Sequence, residues 1–348
     1  FFLHVTDTPL EDQRGYVSVR ATLVGEGDQV RVYRDLQVTP GEIANGLVRE
    51  LIELLDRQIL PRSRVILGQH RDVDGDGKLA VLLTGWLERL QGGRTSVQGF
   101  VRSQDFDPSG VPPYSNRADV LYLNAGLRPG PELVPLLAHE YAHAVVCSLR
   151  LPGGLSATGL PVEADWLNEG YAHLAERMQQ AGWSNLEHRI TAFLDAPESA
   201  PLVVQDYYRT GRWRDAGCRG ATFLFLDWCL QQSDESLLRA LASDPLTGVA
   251  KLEEHSGIPF AELFRGWTIA LHQGGWPALD LNSDLGRHTL AGPKIRTWNV
   301  AETECALELQ GTSATFVRCQ FESHRPRCQI RIEAPRNARL QVTAALRR

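Results

Sequence analysis

Polar and apolar residues alternate on both sides of Gly25-Glu26-Gly27-Asp28, with Tyr16, Val17 and Val19 before this turn and Val30, Val32 and Tyr33 after it. Alternation of period two around a Gly/Asp turn predicts a β-hairpin over residues 15–38. From Pro40 to Leu60 the period changes. Ile43, Leu47, Leu51, Leu54 and Leu55 fall at helical spacing, which predicts a helix that Pro61 stops. Short runs at 64–68, 79–84, 99–103 and 119–124 predict strands. Residues 1–130 therefore read as a mixed sheet with one long helix. Residues 131–280 read as helical, with segments at 131–149, 163–181, 184–195, 218–232, 234–243 and 258–273 punctuated by Gly, Pro and Ser/Asp. Beyond Gly274-Gly275-Trp276-Pro277 the alternation returns at 294–296, 306–309, 329–332 and 340–342. This predicts a small β-sandwich-like module over 286–348 and an α+β fold for the whole.

The length of 348 residues suits about two domains, and 43% apolar with 22% charged residues suits a globular chain with a large core. No run approaches the roughly 18 apolar residues of a membrane span. A net charge of -6 argues against nucleic acid as a partner, because phosphate needs cations. The last 31 residues, with eight arginines and two glutamates, are a basic exception that reads first as a solvated face. Cys147, Cys218, Cys229, Cys305, Cys319 and Cys328 form no CxxC pair, so a cysteine zinc site is not expected, and disulfides stay an open expectation.

The chemistry concentrates in two segments. Residues 139–143 read His-Glu-Tyr-Ala-His. Positions i and i+4 share one helix face, so both imidazoles can reach one ion, with Glu140 beside them. The flanks Leu133, Val134, Leu136, Leu137, Ala138, Ala142, Ala144, Val145 and Val146 are apolar almost all round, which predicts a buried helix. Two histidines and a glutamate in such a helix are costly without partners, and a metal removes that cost. The second segment, Trp166-Leu167-Asn168-Glu169-Gly170, follows His143 by 26 positions at Glu169. Its carboxylate would complete a His2Glu zinc site with an open position. The predicted metal ligands are thus His139, His143 and Glu169, the metal Zn2+, and the general base Glu140.

Together these segments resemble the gluzincin metallopeptidases. Trp-Leu-Asn-Glu-Gly-Tyr-Ala is similar to the zinc-glutamate segment of the membrane-alanyl-aminopeptidase group, but the His-to-Glu spacing is longer than in that group. Its Gly-x-Met-Glu-Asn motif is also absent, since the only methionine is Met178. The metzincin pattern fails at Val146 and Leu149. A wider resemblance, over about residues 30–275, is to the hyicolysin-like neutral metalloendopeptidases. It runs through Asp72-Val73-Asp74-Gly75-Asp76-Gly77-Lys78-Leu79, Ser115-Asn116-Arg117-Ala118-Asp119-Val120-Leu121-Tyr122-Leu123-Asn124, the zinc motif, and Gly220-Ala221-Thr222-Phe223-Leu224-Phe225. It implies a zincin, thermolysin-like fold and a secreted or periplasmic peptidase acting on peptide or protein substrates. It also implies a downstream Tyr or His that stabilises the oxyanion; Tyr207 and Tyr208 are the candidates by chain order. By the same order Gly99, Phe100 and Val101 would form a substrate-binding edge strand. In thermolysin-like relatives an Asp lies four residues after the zinc Glu; here His173 stands there, leaving Asp165 or His173 to orient the histidines.

Asp72, Asp74 and Asp76 followed by Gly77 match the first half of a calcium loop, but Leu83 replaces the glutamate of a full EF-hand. A partial Ca2+ site and a plain Asx-rich turn are both open. Function divides the same way. The expected activity is zinc endopeptidase; the alternatives are an aminopeptidase and an inactive zincin-fold binding protein.

Overall fold

The computed structural model describes residues 1–6, 8–90, 97–151, 159–181, 184–233, 236–273, 292–299, 305–321 and 330–344. A five-stranded mixed sheet has the order β3-β4-β5-β7-β6, built from β3 (Ala21–Glu26), β4 (Val30–Asp35), β5 (Leu79–Thr84), β6 (Gly99–Phe100) and β7 (Val120–Asn124). The two end pairs, β3/β4 and β6/β7, are antiparallel, and the inner pairs are parallel. Every residue of β5 and β7 is buried, as their continuous apolar runs require of strands covered on both faces. Val81, Leu83, Leu121 and Leu123 face the helices. Ala80, Leu82, Val120 and Tyr122 face a smaller layer with Leu3 and Val19. That layer includes β1 (Phe2–His4) paired with β2 (Tyr16–Ser18).

Two expectations are corrected here. The hairpin around Gly25–Asp28 uses residues 21–26 as its first arm, and Tyr16–Ser18 pairs with the N-terminal strand instead. Pro61 does not stop the long helix. α1 (Leu47–Leu54) passes through a π turn, Leu55–Ile59, into α2 (Leu60–Ile66), so 64–66 is helical rather than strand. Pro61 lies just past the π turn, where the regular i→i−4 ladder is already interrupted. Leu47, Leu51, Leu55, Ile59 and Leu60 stay buried throughout, so core packing favours continuation over a break.

α3 (Trp86–Arg89) is a single turn. The helical half comprises α4 (Leu133–Arg150), α5 (Asp165–Met178), α6 (Ser184–Asp195), α7 (Ala216–Gln231), α8 (Leu237–Ser243), α9 (Gly248–Ser256) and α10 (Phe260–Gln273). α9 is not signalled by an apolar stripe, since only Gly248, Lys251 and Leu252 are buried. α7 crosses α6 backbone to backbone: a Cβ on Gly220 would sit 2.1 Å from the Arg189 carbonyl oxygen. It crosses α5 almost as closely, with a Gly170 Cβ falling 2.4 Å from Leu226 Cδ1. Glycine at both crossings brings α5, α6 and α7 into one tight group, and α4 packs on α5.

In the C-terminal part β8 (Ile295–Asn299) and β9 (Phe316–Gln320) pair in parallel. Residues 306–309, 330–332 and 340–342, expected as strands, carry no strand; they are exposed and have no ladder partner among the described residues. The segment docks on the helical half through Lys294 N to Leu194 O (2.7 Å) and Leu202 N to Thr312 O (3.0 Å). Cys147, Cys218, Cys229 and Cys305 are free thiols, and Cys328 lies outside the described residues.

Candidate metal centre

α4 and α5 pack side by side and turn His139, Glu140, His143 and Glu169 toward each other, all buried. His139 Nε2 and His143 Nε2 are 3.2 Å apart. Glu169 Oε2 lies 3.4 Å from His139 Nε2, and its Oε1 lies 3.9 Å from His143 Nε2. Four ligands at about 2.1 Å around a tetrahedral ion stand about 3.4 Å from one another. Taken over both Glu169 oxygens, these separations are close to the spacing of a zinc ligand set. His173 is a further candidate, since one of its nitrogens falls within 4.8 Å of the His139 and Glu169 donor atoms. Both of its nitrogens are engaged, however: Nδ1 with Glu176 Oε1 at 2.8 Å and Nε2 by Arg219 Nε at 3.0 Å. His143 has the better geometry.

Glu176 is the group that sequence reasoning missed. Its Oε1 lies 2.8 Å from His139 Nδ1, and its Oε2 accepts from Asn185 Nδ2 at 2.8 Å. A proton held on Nδ1 leaves Nε2 as a bare donor for metal, which is how a carboxylate orients a ligand histidine. The signal was available. Glu169, His173 and Glu176 stand at i, i+4 and i+7, so the helix face that carries His173 also carries Glu176. Asp165, the other expected orienter, is near Glu169 but makes no contact with either histidine among the described residues. On the far side of α4, Tyr141 OH meets His70 Nδ1 at 2.7 Å, and His70 Nε2 lies 3.1 Å from Asp119 Oδ2. This contact pins the helix to the sheet side.

Electrostatics follow from burial against charge. Burial penalises a charged His139, but Glu169 and Glu176 outweigh it and raise its pKa to about 9. The same negative field favours a metal cation. Burial lowers His143 to about 4 and His173 to about 3, keeping both neutral. Burial raises Glu140 to about 7. Glu169 is held well below the usual carboxylate range; burial opposes this, and Arg219 and the histidines overcome it.

Arg219, on α7, also escaped the sequence. It ion-pairs with Glu169 Oε2 and lies 3.3 Å from His139 Nε2. The two tyrosines separate. Tyr208, half exposed, donates to Glu169 Oε1 at 3.0 Å. Tyr207 is buried, and its hydroxyl has no hydrogen-bond partner among the described residues. Gly99 and Phe100 form β6 at the sheet edge, and Val101 has already left the strand. Glu140 lies against Gly99, where a Cβ would approach Glu140 Cγ to 2.9 Å.

Asp72, Asp74 and Asp76 do not join this centre. They form an exposed turn before β5 whose carboxylates are taken up locally: Asp72 accepts from Gly75 N and Gly77 N, Asp74 from Asp76 N, and Asp76 from Lys78 N and Arg31. Their bonds are those of an Asx-rich turn, and one carboxylate oxygen of each lies within 4.8 Å of the others, the spacing of a group that could hold a cation.

No protein-family model matches the chain. It is similar to a neutral metalloprotease of Staphylococcus hyicus, 23% identical over 273 residues. The match covers 72% of this chain and 58% of that protein, so the chain spans less than two thirds of its relative's length.

Proposed function

We propose that the chain is a zinc peptidase that cleaves peptide bonds internally, with His139, His143 and Glu169 as metal ligands and Glu140 as the general base. The observation that carries this reading is the convergence of the His139 and His143 Nε2 atoms and the Glu169 carboxylate within 3.2–3.9 Å of one another. Zinc in that position supplies Lewis acidity, drawing electron density from a water and from the scissile carbonyl.

The chain's own groups do the rest. Glu140, raised to about 7 by burial, takes a proton from the attacking water on its carboxylate and returns it to the departing amide nitrogen. Tyr208 is the hydroxyl at the site that donates to the developing oxyanion; Tyr207, buried close to Glu169 with its own hydroxyl unbonded among the described residues, is not given that role. Glu176 holds His139 in its ligating tautomer. The free edge of β6, at Gly99–Phe100, aligns an extended substrate by main-chain bonds. Internal cleavage is taken over aminopeptidase action because Glu140, Glu169 and Glu176 are each committed to a base, ligand or histidine-orienting role; Asp165, beside Glu169, is the one nearby carboxylate that a substrate ammonium could meet. The similarity to a neutral metalloprotease agrees with peptide or protein substrates.

The test is the Glu140→Gln variant, assayed beside wild type on internally quenched peptides with blocked and free N-termini. The expected result is cleavage of blocked peptides by wild type and loss of at least about 10³-fold in kcat in the variant at equal zinc content. Equal inactivity of both zinc-loaded proteins would favour the inactive binding-protein reading. Cleavage of free-amine peptides alone would favour the aminopeptidase.

A further inference from the structure

Arg189, on α6, is an unusual cation. It is half buried, and its Nη1 donates to the carbonyl oxygen and the Oδ1 of Asn185, a neutral partner. Its Nε is enclosed and has no hydrogen-bond partner, and the guanidinium makes no ion pair among the described residues. A guanidinium has five N–H donors and is stabilised by carboxylates that accept two at once.

The carboxylates around it are already committed. Glu176 spends Oε1 on His139 and His173 and Oε2 on Asn185. Glu169 is taken by Arg219 and Tyr208. The group nearest in kind is Arg219 itself, a like charge. Burial first, and then Arg219, lower Arg189 to about 10, and both arginines depress His188 beside them after its own burial. Burying a cation without a counter-ion is costly. A charged partner from outside the chain would remove the cost.

Arg189 is also tied to the metal centre. Asn185 joins it to Glu176, which joins His139. The backbone at Arg189 is the surface on which Gly220 packs, one residue from Arg219. The two arginines thus stand on adjacent helices that meet at Gly220, close enough for their charges to oppose each other.

We propose that Arg189 and Arg219 form a carboxylate-binding subsite beside the metal centre, so that the substrate carries an acidic group close to the cleaved bond. This rests on the peptidase reading and adds the substrate class to it. The carboxylate is an Asp or Glu side chain or a free C-terminus. A forked guanidinium pair receives either in the same way.

The test separates binding from turnover. Fluorescent peptides with Glu or Gln at each position flanking the scissile bond, and with a free or amidated C-terminus, are titrated against zinc-loaded Glu140→Gln protein. One acidic arm is expected to bind about 10- to 100-fold tighter than its amide. Which arm does so identifies the source of the carboxylate. In an added Arg189→Gln background the ratio falls toward one, while Arg189→Lys keeps part of it. Thermal melting checks that each variant is folded. Should Arg189→Gln fail to fold, Arg189→Lys and the salt dependence of the acid-to-amide ratio carry the test, and a ratio unmoved by either overturns the proposal. Equal binding of acid and amide in every arm, or a preference that survives Arg189→Gln, also overturns it. Selective binding of acidic peptides with no cleavage by wild type would sink the peptidase reading and leave this subsite standing. Cleavage without acid preference would sink the subsite alone.

Discussion

Gly99 offers a test of how tightly Glu140 is held. A Cβ there would lie 2.9 Å from Glu140 Cγ, 3.2 Å from Glu140 Cδ and 3.1 Å from Leu123 Cδ2. Carbon atoms rest at about 3.5–4.0 Å, so the Glu140 side chain must retreat by about 0.6 Å or more in Gly99→Ala. Leu123 is buried in the sheet and yields less readily than a glutamate tip. A shift approaching 1 Å in a reacting group costs about 10²-fold, which sets the expected loss in kcat at about 10- to 100-fold. Stability should move little. Gly99 is not in the left-handed region, and an alanine gains about 0.4–1 kcal/mol by restricting the unfolded chain, which offsets the crowding. The assay is kcat and KM on a blocked peptide, with zinc content and thermal melting on the same samples. Gly41→Ala, where a Cβ meets nothing within 4 Å, is the control. Wild-type kcat in a folded, zinc-loaded Gly99→Ala protein would refute the claim that Glu140 acts from this position.

Further substitutions probe the surrounding groups. Glu176→Gln should weaken zinc binding about 10- to 100-fold in chelator competition, since it removes the charge that fixes His139. Tyr208→Phe should lower kcat by about 10²-fold or more, with KM changing less, if its hydroxyl serves the oxyanion. Tyr207→Phe removes a buried hydroxyl without a partner and should leave both kcat and the melting temperature unchanged or raise the latter. Lys251→Met should destabilise the protein by about 1–3 kcal/mol in urea unfolding, because it removes a buried charge-assisted bond to Glu163 and leaves Arg150, at 3.7 Å, as its cationic partner.

The elements carrying the centre were legible because their signals are local. α4 and α5 were expected at 131–149 and 163–181 and run Leu133–Arg150 and Asp165–Met178, since an all-apolar helix and an Asn-Glu-Gly segment declare themselves in sequence. The strands at 79–84 and 120–124 were equally plain as buried runs. The failures share one cause, tertiary context. Pro61 reads as a stop, yet a buried stripe on both sides carries the helix through a π turn. Tyr16–Ser18 reads as a hairpin arm, yet its partner is the distant Phe2–His4. Arg219 reaches the centre from α7, which Gly220 lets meet the α6 backbone, a contact without sequence periodicity. Tyr207 and Tyr208 are equivalent by position; only the fold turns one hydroxyl toward Glu169.

The most direct measurement of the central claim is zinc-edge anomalous diffraction from crystals of the zinc-loaded protein. The account predicts one strong peak within about 2.1 Å of His139 Nε2, His143 Nε2 and a Glu169 oxygen, and its loss in Glu169→Ala. A peak bound through His173 instead of His143, or at the Asp72–Asp76 turn alone, would contradict it.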